Sequence, residues 1–294
     1  MSRPLVSVLT TSFNQDRWLE ANLLSVQRQT YPNVEHVVND GGSTDGSVTL
    51  LERYARPALR WLSEPDEGQS DALLRAFDRS GGEIVAWLNS DDTFADVRTL
   101  EWVVSAFARD PTLDVVYGHV ADTTTDDAIL RITWCPPTWT RHLGPDVLPL
   151  KQPGVFYRRR ALVGNFVRRE LHFSMDHEFL LRLLNQDRQV GRINQVLATN
   201  RHQPDRKSLQ RGGQYDQEYA AVRTQGSADL RGRVAHHLVA QSSRVIGIWQ
   251  FLRLSRRMDP TTPLHVPGIR ERLRLQLATR TEREIARREE HGTA

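Results

Sequence analysis

Cysteine is nearly absent from this chain of 294 residues, and the single one, Cys135, excludes an internal disulfide and any cysteine-cluster zinc site. Its simplest role is that of a small buried hydrophobe. No window reaches the run of about 18 apolar residues that spans a bilayer, so no membrane crossing is expected. The opening MSRPLVSVLT lacks the charged, apolar and cleavable regions of a secretory leader and runs into a first strand. Charge of one sign is not in large excess either: 39 Lys and Arg against 36 Asp and Glu leave +3, which indicates no nucleic-acid partner. Internal repeats are missing, as are a G-x-G-x-x-G fingerprint in the first β-α turn and any evident Ser-His-Asp or Cys-His arrangement for covalent catalysis. These absences point to the cytoplasm, with peripheral contact at the inner face of the membrane as the alternative.

The apolar fraction of 39% and charged fraction of 26% are those of an ordinary globular protein, long enough for a sizeable core. Acidic residues gather before position 130 and arginines in the last hundred residues, which suggests two functional halves. Leu5 to Thr11 and Val34 to Val38 are apolar and β-branched, and Trp18 to Gln29 between them has helical spacing. Helices are expected at Ser47 to Tyr54, Ser70 to Arg79 and Leu100 to Ala108, and strands at Ile84 to Leu88 and Val115 to Tyr117. Such alternation predicts an α/β protein with a mainly parallel sheet flanked by helices. From about Thr123 to Gly154 the pattern loosens into a proline-rich, irregular segment. A helix at His177 to Leu184, a strand at Val190 to Ala198 and a polar loop at His202 to Gly213 follow. The remainder is mostly helical, so the chain divides into a catalytic domain at 1–213 and a helical C-terminal region at 214–294.

Ligands of parallel sheets bind beyond the carboxyl ends of the strands. Two strands end there in acidic segments, one in Asn39 to Gly46 and the other in Asn89-Ser90-Asp91-Asp92. Adjacent carboxylates at a sheet edge repel unless a cation is present, and Mg²⁺ or Mn²⁺ favours one or two carboxylates together with phosphate oxygens. The alternative for this segment is an Asx turn capping the next helix. In the glycine-rich segment Asp40 can accept from a base or ribose, whereas Asp45 also suits the N-cap of the following helix.

The segments VSVLTTSFN, VVNDGGSTDGS, SEPDEGQSDALLRAF and GEIVAWLNSDD together resemble the successive motifs of the family 2 glycosyltransferases. The resemblance covers roughly the first 210 residues, and it implies the GT-A fold, a nucleotide-sugar donor (most commonly a UDP-sugar), a divalent metal and inversion at the anomeric carbon. It implies that Thr11, Phe13 and Asp40 hold base and ribose and that Asp71 lines the donor pocket. Asp91, ending the family's D-x-D motif, binds the metal by the same resemblance, with Asp92 beside it and Asn89 and Ser90 contributing to the donor site. The first aspartate of D-x-D is here Asn89. QPGVFYRR resembles the acceptor-side strand, and FSMDHEFLLRL resembles the segment carrying the catalytic base, which makes Asp176 the candidate; a helix N-cap is its other reading. RHQPDRKS resembles the mobile loop over the diphosphate, with His202 as a further metal ligand or a solvated side chain, and Arg206 and Lys207 as phosphate partners. Arg158, Arg159 and Arg160 either meet an anionic acceptor or form a solvated charge run.

The implied partners are a nucleotide-sugar donor and a carbohydrate or lipid-linked glycan acceptor, with synthesis of a polysaccharide or glycan as the outcome. In the C-terminal region, Val245 to Leu252 lies among Arg244, Arg253, Arg256 and Arg257, and serves core packing, homo-oligomerisation or contact with an anionic membrane. Two competing functions remain: a nucleotidyltransferase, for which TTSFNQDRW lacks the basic glycine-rich phosphate loop, and a catalytically weakened sugar-binding protein, suggested by Asn89 and by Met175 in place of an acidic residue.

Overall fold

The computed structural model describes residues 3–135, 150–164, 166–186, 188–204 and 212–224. Arg206, Lys207 and the helical stripes expected beyond 224 lie outside the described residues.

The first half alternates strand and helix: β1 (Val6–Ser12), α1 (Asp16–Gln27), β2 (Val34–Asp40), α2 (Ser47–Arg53), β3 (Leu59–Ser63), α3 (Gln69–Asp78), β4 (Ile84–Trp87) and α4 (Thr99–Arg109). The second half holds β5 (Val115–Thr123), β6 (Ile129–Thr133), β7 (Val155–Arg158), α5 (Met175–Leu184), β8 (Val190–Arg201) and α6 (Gly213–Thr224). Eight strands form one sheet in the order β3-β2-β1-β4-β7-β5-β6, with β8 on β5. The run β3-β2-β1-β4 is parallel throughout, as the alternation predicts. Beyond it the sheet is mixed, because β7 is antiparallel to both β4 and β5 and β6 is antiparallel to β5, whereas β8 is parallel to β5.

Every residue of β1 is buried, because helices cover both faces of the sheet. Side chains alternate between two cores: Val6, Val8, Ile84 and Ala86 pack with Val26, Leu100, Val103 and Phe107. Leu9, Val85 and Trp87 pack on the other face with Leu73, Leu74, Phe179 and Leu180. Cys135 lies in this second core, its Sγ donating to the Gly118 carbonyl at 3.0 Å, and burial pushes its thiol up to about 12.

Several expectations are corrected by the structure. Strand β5 runs on to Thr123, and β6 lies inside the segment expected to be irregular. Asp122 explains why no alternation was visible there. It is a fully buried carboxylate that receives Arg131, Lys151 and Asn200 Nδ2, so a charged residue occupies an inward position. Arg158, Arg159 and Arg160 are not a free charge run: they donate to the carbonyls of Phe107, of Gly82, and of Pro111, Thr112 and Leu113, respectively, and of the three only Arg160 is exposed. The NSDD segment does not cap the next helix, since Asp96 lies between it and α4 and accepts from the Arg98 N–H at 2.8 Å.

Candidate active site

The chain proceeds from β1 outward to β2 and β3, then returns to place β4 on the other side of β1. That reversal opens a crevice at the carboxyl ends of β1 and β4. The register aligns Ser12 with Asp40 and Leu9 with Trp87, so the segments after β1, β2 and β4 emerge at one edge. A cleft of about 820 Å³ lies there, large enough for a nucleotide-sized ligand.

Thr11, Phe13, Asn89, Ser90, Asp91, Asp92 and Asp176 all line this cleft. Phe13 is 60% exposed, unusual for a large aromatic and suited to stacking on a planar ligand. Ser12 adds a polar group that the motifs did not single out: its buried Oγ has no hydrogen-bond partner among the described residues. Gly68, with φ of 108°, lets the chain turn into α3 at the cleft wall in a conformation that other residues rarely adopt.

Asp40 and Asp71 are placed otherwise. The Asp40 carboxylate turns inward, accepting from the Ser43 N–H at 2.8 Å, from Ser43 Oγ at 2.6 Å and from Ser63 Oγ at 2.7 Å. Gly41 and Asp66 face the cleft in its stead. Asp71 is 2% exposed and lies between Arg169 and Arg75. Asp45 accepts from the Ser47 and Asp16 N–H groups while Asp16 accepts from Gly46 N–H, tying the starts of α1 and α2 together.

Asn89 sits at the centre of a neutral network. Its Oδ1 accepts from Trp87 Nε1 at 2.8 Å and Gln69 Nε2 at 2.9 Å, and its Nδ2 donates to Gln152 Oε1 at 3.3 Å. A carboxylate at this position could accept the first two bonds but not donate the third. Asp91 Oδ2 accepts from Gln203 Nε2 at 3.3 Å, and Asp92 Oδ1 from the Arg201 N–H at 3.2 Å. Burial, and then the neighbouring Asp91 charge, push the Asp92 carboxyl well above the ordinary carboxylate range. Arg201 is pinned beneath them by Asp127 at 2.7 Å and by the carbonyls of Thr125 and Asp91, with its guanidinium 5.0 Å from the Trp18 ring centre.

No group of three or more His, Cys, Asp or Glu gathers to hold a metal among the described residues. His202 does not line the cleft; its Nε2 lies 3.2 Å from Asp122 Oδ1. The Asp91-Asp92 pair nevertheless fits Mn²⁺ or Mg²⁺, because two adjacent carboxylates, one of them buried and disfavoured in its charged form by the other, supply the protein share of a site completed by phosphate oxygens and water.

Asp176 reaches the cleft from the first turn of α5, which begins two residues earlier than the spacing predicts. Its Oδ1 accepts from the adjacent His177 N–H at 2.8 Å, and the N-cap position belongs to Ser174, so Asp176 does not act as the helix N-cap. Burial raises its carboxyl above the usual range, against the lowering effect of His177. Glu218 on α6 instead ties down the segment that leads into α5: its carboxylate accepts from the N–H groups of His172, Phe173 and Ser174 at 2.8 to 3.2 Å, and from Ser174 Oγ at 3.3 Å. No signal in the sequence links position 218 to 172–174.

Burial alone would raise Glu218, but these hydrogen bonds hold it below the ordinary glutamate value of 4.5. A depressed carboxyl adds stability that is fully present above the unfolded value and lost as pH falls through the folded one. Glu218→Gln is therefore expected to lower the melting temperature at pH 7 by about 3–6 °C, with a deficit that shrinks below about pH 4. Thermal melts of both proteins between pH 3 and 7 check this; parallel curves over the whole range would refute it.

Comparison with known proteins shows the family and the fold. The sequence model for Glycosyl transferase family 2 matches residues 7–166. An uncharacterised glycosyltransferase of Mycobacterium tuberculosis is 34% identical over 122 residues, covering 41% of this chain and 47% of the relative. The chain thus spans about half the length of the first curated relatives it matches. A PGL/p-HBAD biosynthesis glycosyltransferase of Mycobacterium bovis is 28% identical over 209 residues, covering 68% of this chain and 77% of the relative. Among solved structures, a mannosyltransferase from Pyrobaculum calidifontis in complex with GDP-Man and Mn²⁺ superposes with a TM-score of 0.58 at 19% identity, covering 97% of this chain and 85% of that one. S. aureus TarS in complex with UDP superposes with a TM-score of 0.50 at 19% identity, covering 68% and 61% of the two chains. The fold is therefore of the GT-A type, and the chain belongs to the family 2 glycosyltransferases.

Proposed function

We propose that this protein is an inverting, metal-dependent glycosyltransferase that moves a sugar from a nucleoside diphosphate to a hydroxyl of a carbohydrate or lipid-linked glycan. The observation that carries this reading is the convergence, in one cleft, of the Asp91-Asp92 pair after β4 and the Asp176 carboxylate on α5.

Asp91 and Asp92 would hold Mn²⁺ or Mg²⁺, which supplies positive charge for the departing diphosphate when bound. Phe13 and Thr11 receive the nucleoside, and Ser12 Oγ offers it a donor or acceptor. Asp176 accepts the proton of the acceptor hydroxyl. The freed oxygen forms its bond to the anomeric carbon as the bond from that carbon to the diphosphate oxygen breaks, with inversion. A carboxyl raised by burial lies closer to neutrality, which strengthens it as a base. Asn89 keeps Gln69 at the cleft wall without adding negative charge. By resemblance the donor is a UDP-sugar; the solved relatives hold either UDP or GDP-Man.

A thermal-shift panel of UDP, GDP, ADP, CDP and dTDP with and without Mn²⁺ tests the reading. One diphosphate at a hundred times its Kd should stabilise the native state by about 2.7 kcal/mol, and only with the metal. No metal-dependent shift with any of the five would reject it.

A further inference from the structure

Helix α6 contributes more than the Glu218 contact. One position on, Tyr219 lines the cleft together with His172, Phe173 and Asp176. Its ring centre lies 4.4 Å from that of Tyr215 with the planes at 31°, and 5.8 Å from His177. Tyr215 in turn meets Phe173 edge-on at 5.8 Å. Four rings from two parts of the chain are thus in contact, and two of them, Phe173 and Tyr219, line the cleft with Asp176.

Aromatic clusters of this size ordinarily pack in a core, yet these four rings are each only partly buried and belong to no hydrophobic core formed among the described residues. Glu218 fixes the helix that presents them, since its carboxylate bonds the three N–H groups immediately before α5. A preorganised aromatic face is a binding surface for a ring whose hydrogens carry slight positive charge, such as the C–H face of a pyranose. A nucleobase could also stack on such a face, but the exposed Phe13 stands with Thr11 at the β1 end of the cleft, on a different element.

We propose that Tyr219, backed by Tyr215, is the acceptor subsite, on which a pyranose ring lies flat and presents one hydroxyl to Asp176. The inference rests on the reading of Asp176 as the base and deepens it by naming what binds beside it.

The test uses the full chain carrying Asp176→Asn, which holds an acceptor without consuming it. Methyl α- and β-hexopyranosides serve as probes in saturation-transfer-difference NMR, with UDP or GDP and Mn²⁺ present. Ring C–H signals are expected in this parent. They should fall about fivefold or more when Tyr219→Leu, which keeps bulk but no aromatic face, is added, and return with Tyr219→Phe. In the protein with Asp176 intact, Tyr219→Leu should raise the acceptor KM while the nucleotide Kd stays within about twofold. Equal signals in the Leu variant and the parent, or no ring C–H signal in the parent with any hexopyranoside, would overturn the subsite. A subsite that fails while metal-dependent nucleotide binding persists leaves the transferase reading standing. Sugar signals that depend on Tyr219 in a protein that binds no nucleotide would instead sink the transferase reading and keep the subsite.

Discussion

Asp176→Asn is expected to cut glycosyl transfer by roughly a hundredfold or more while leaving nucleotide binding within about twofold, the separation that removal of a general base produces. The substitution is nearly isosteric, and the hydrogen bond that Asp176 accepts from His177 N–H survives through the amide oxygen. The bonds that Glu218 makes to the segment before α5 do not involve Asp176. A folding defect therefore cannot imitate the effect. Transfer assays, with calorimetry on the same preparation, make the comparison; a variant that retains more than about a third of wild-type turnover would remove Asp176 from its role as base.

Asp91→Ala is expected to abolish the metal-dependent part of nucleotide diphosphate binding, a loss of roughly a hundredfold or more. The site has few carboxylates, and Asn89 has already removed the one that the D-x-D pattern would supply. The same substitution relieves the repulsion that Asp91 exerts on buried Asp92, so the ligand-free variant should melt within about 2 °C of the wild type. Calorimetry with UDP or GDP, with and without Mn²⁺, reads the first part and thermal melts the second. Unchanged metal-dependent affinity in the folded variant would show that Asp91 is not a ligand.

Much of this architecture was legible in the sequence, for physical reasons. Central parallel strands buried on both faces are rich in apolar and β-branched residues, which is why β1 and β4 could be read directly, and β2 from Val34, Val37 and Val38 despite the buried Glu35 and His36 between them. β3 and β6 were missed because each is a five-residue strand with an arginine inside it. β5 was cut short because Gly118, His119 and Asp122 interrupt its apolar pattern, and their partners, among them Asn194 and Lys151, lie far along the chain. The motif residues arrived at one cleft, but what each carboxylate touches was not readable. Asp40 meets Ser63, and Asp71 meets Arg169, 98 residues later. Ser12 and Gln152 lie inside motif segments but were not singled out, and Glu218 carries no local signature, since what these side chains do arises only when separate segments meet.

The Glu218 contact also has a temporal side. Ser174 and Glu218 are 44 residues apart, so at synthesis rates of about 5–20 residues per second the start of the helix bearing Asp176 waits roughly 2–9 s for its partner. During that interval the parallel strands β1 to β4 are already made and free to pair, whereas the N–H groups of His172, Phe173 and Ser174 have only water to meet. The wall of the cleft built on β1 to β4 can therefore take shape on the nascent chain before the wall that carries Asp176 is finished, and the order of chain growth makes it the older of the two.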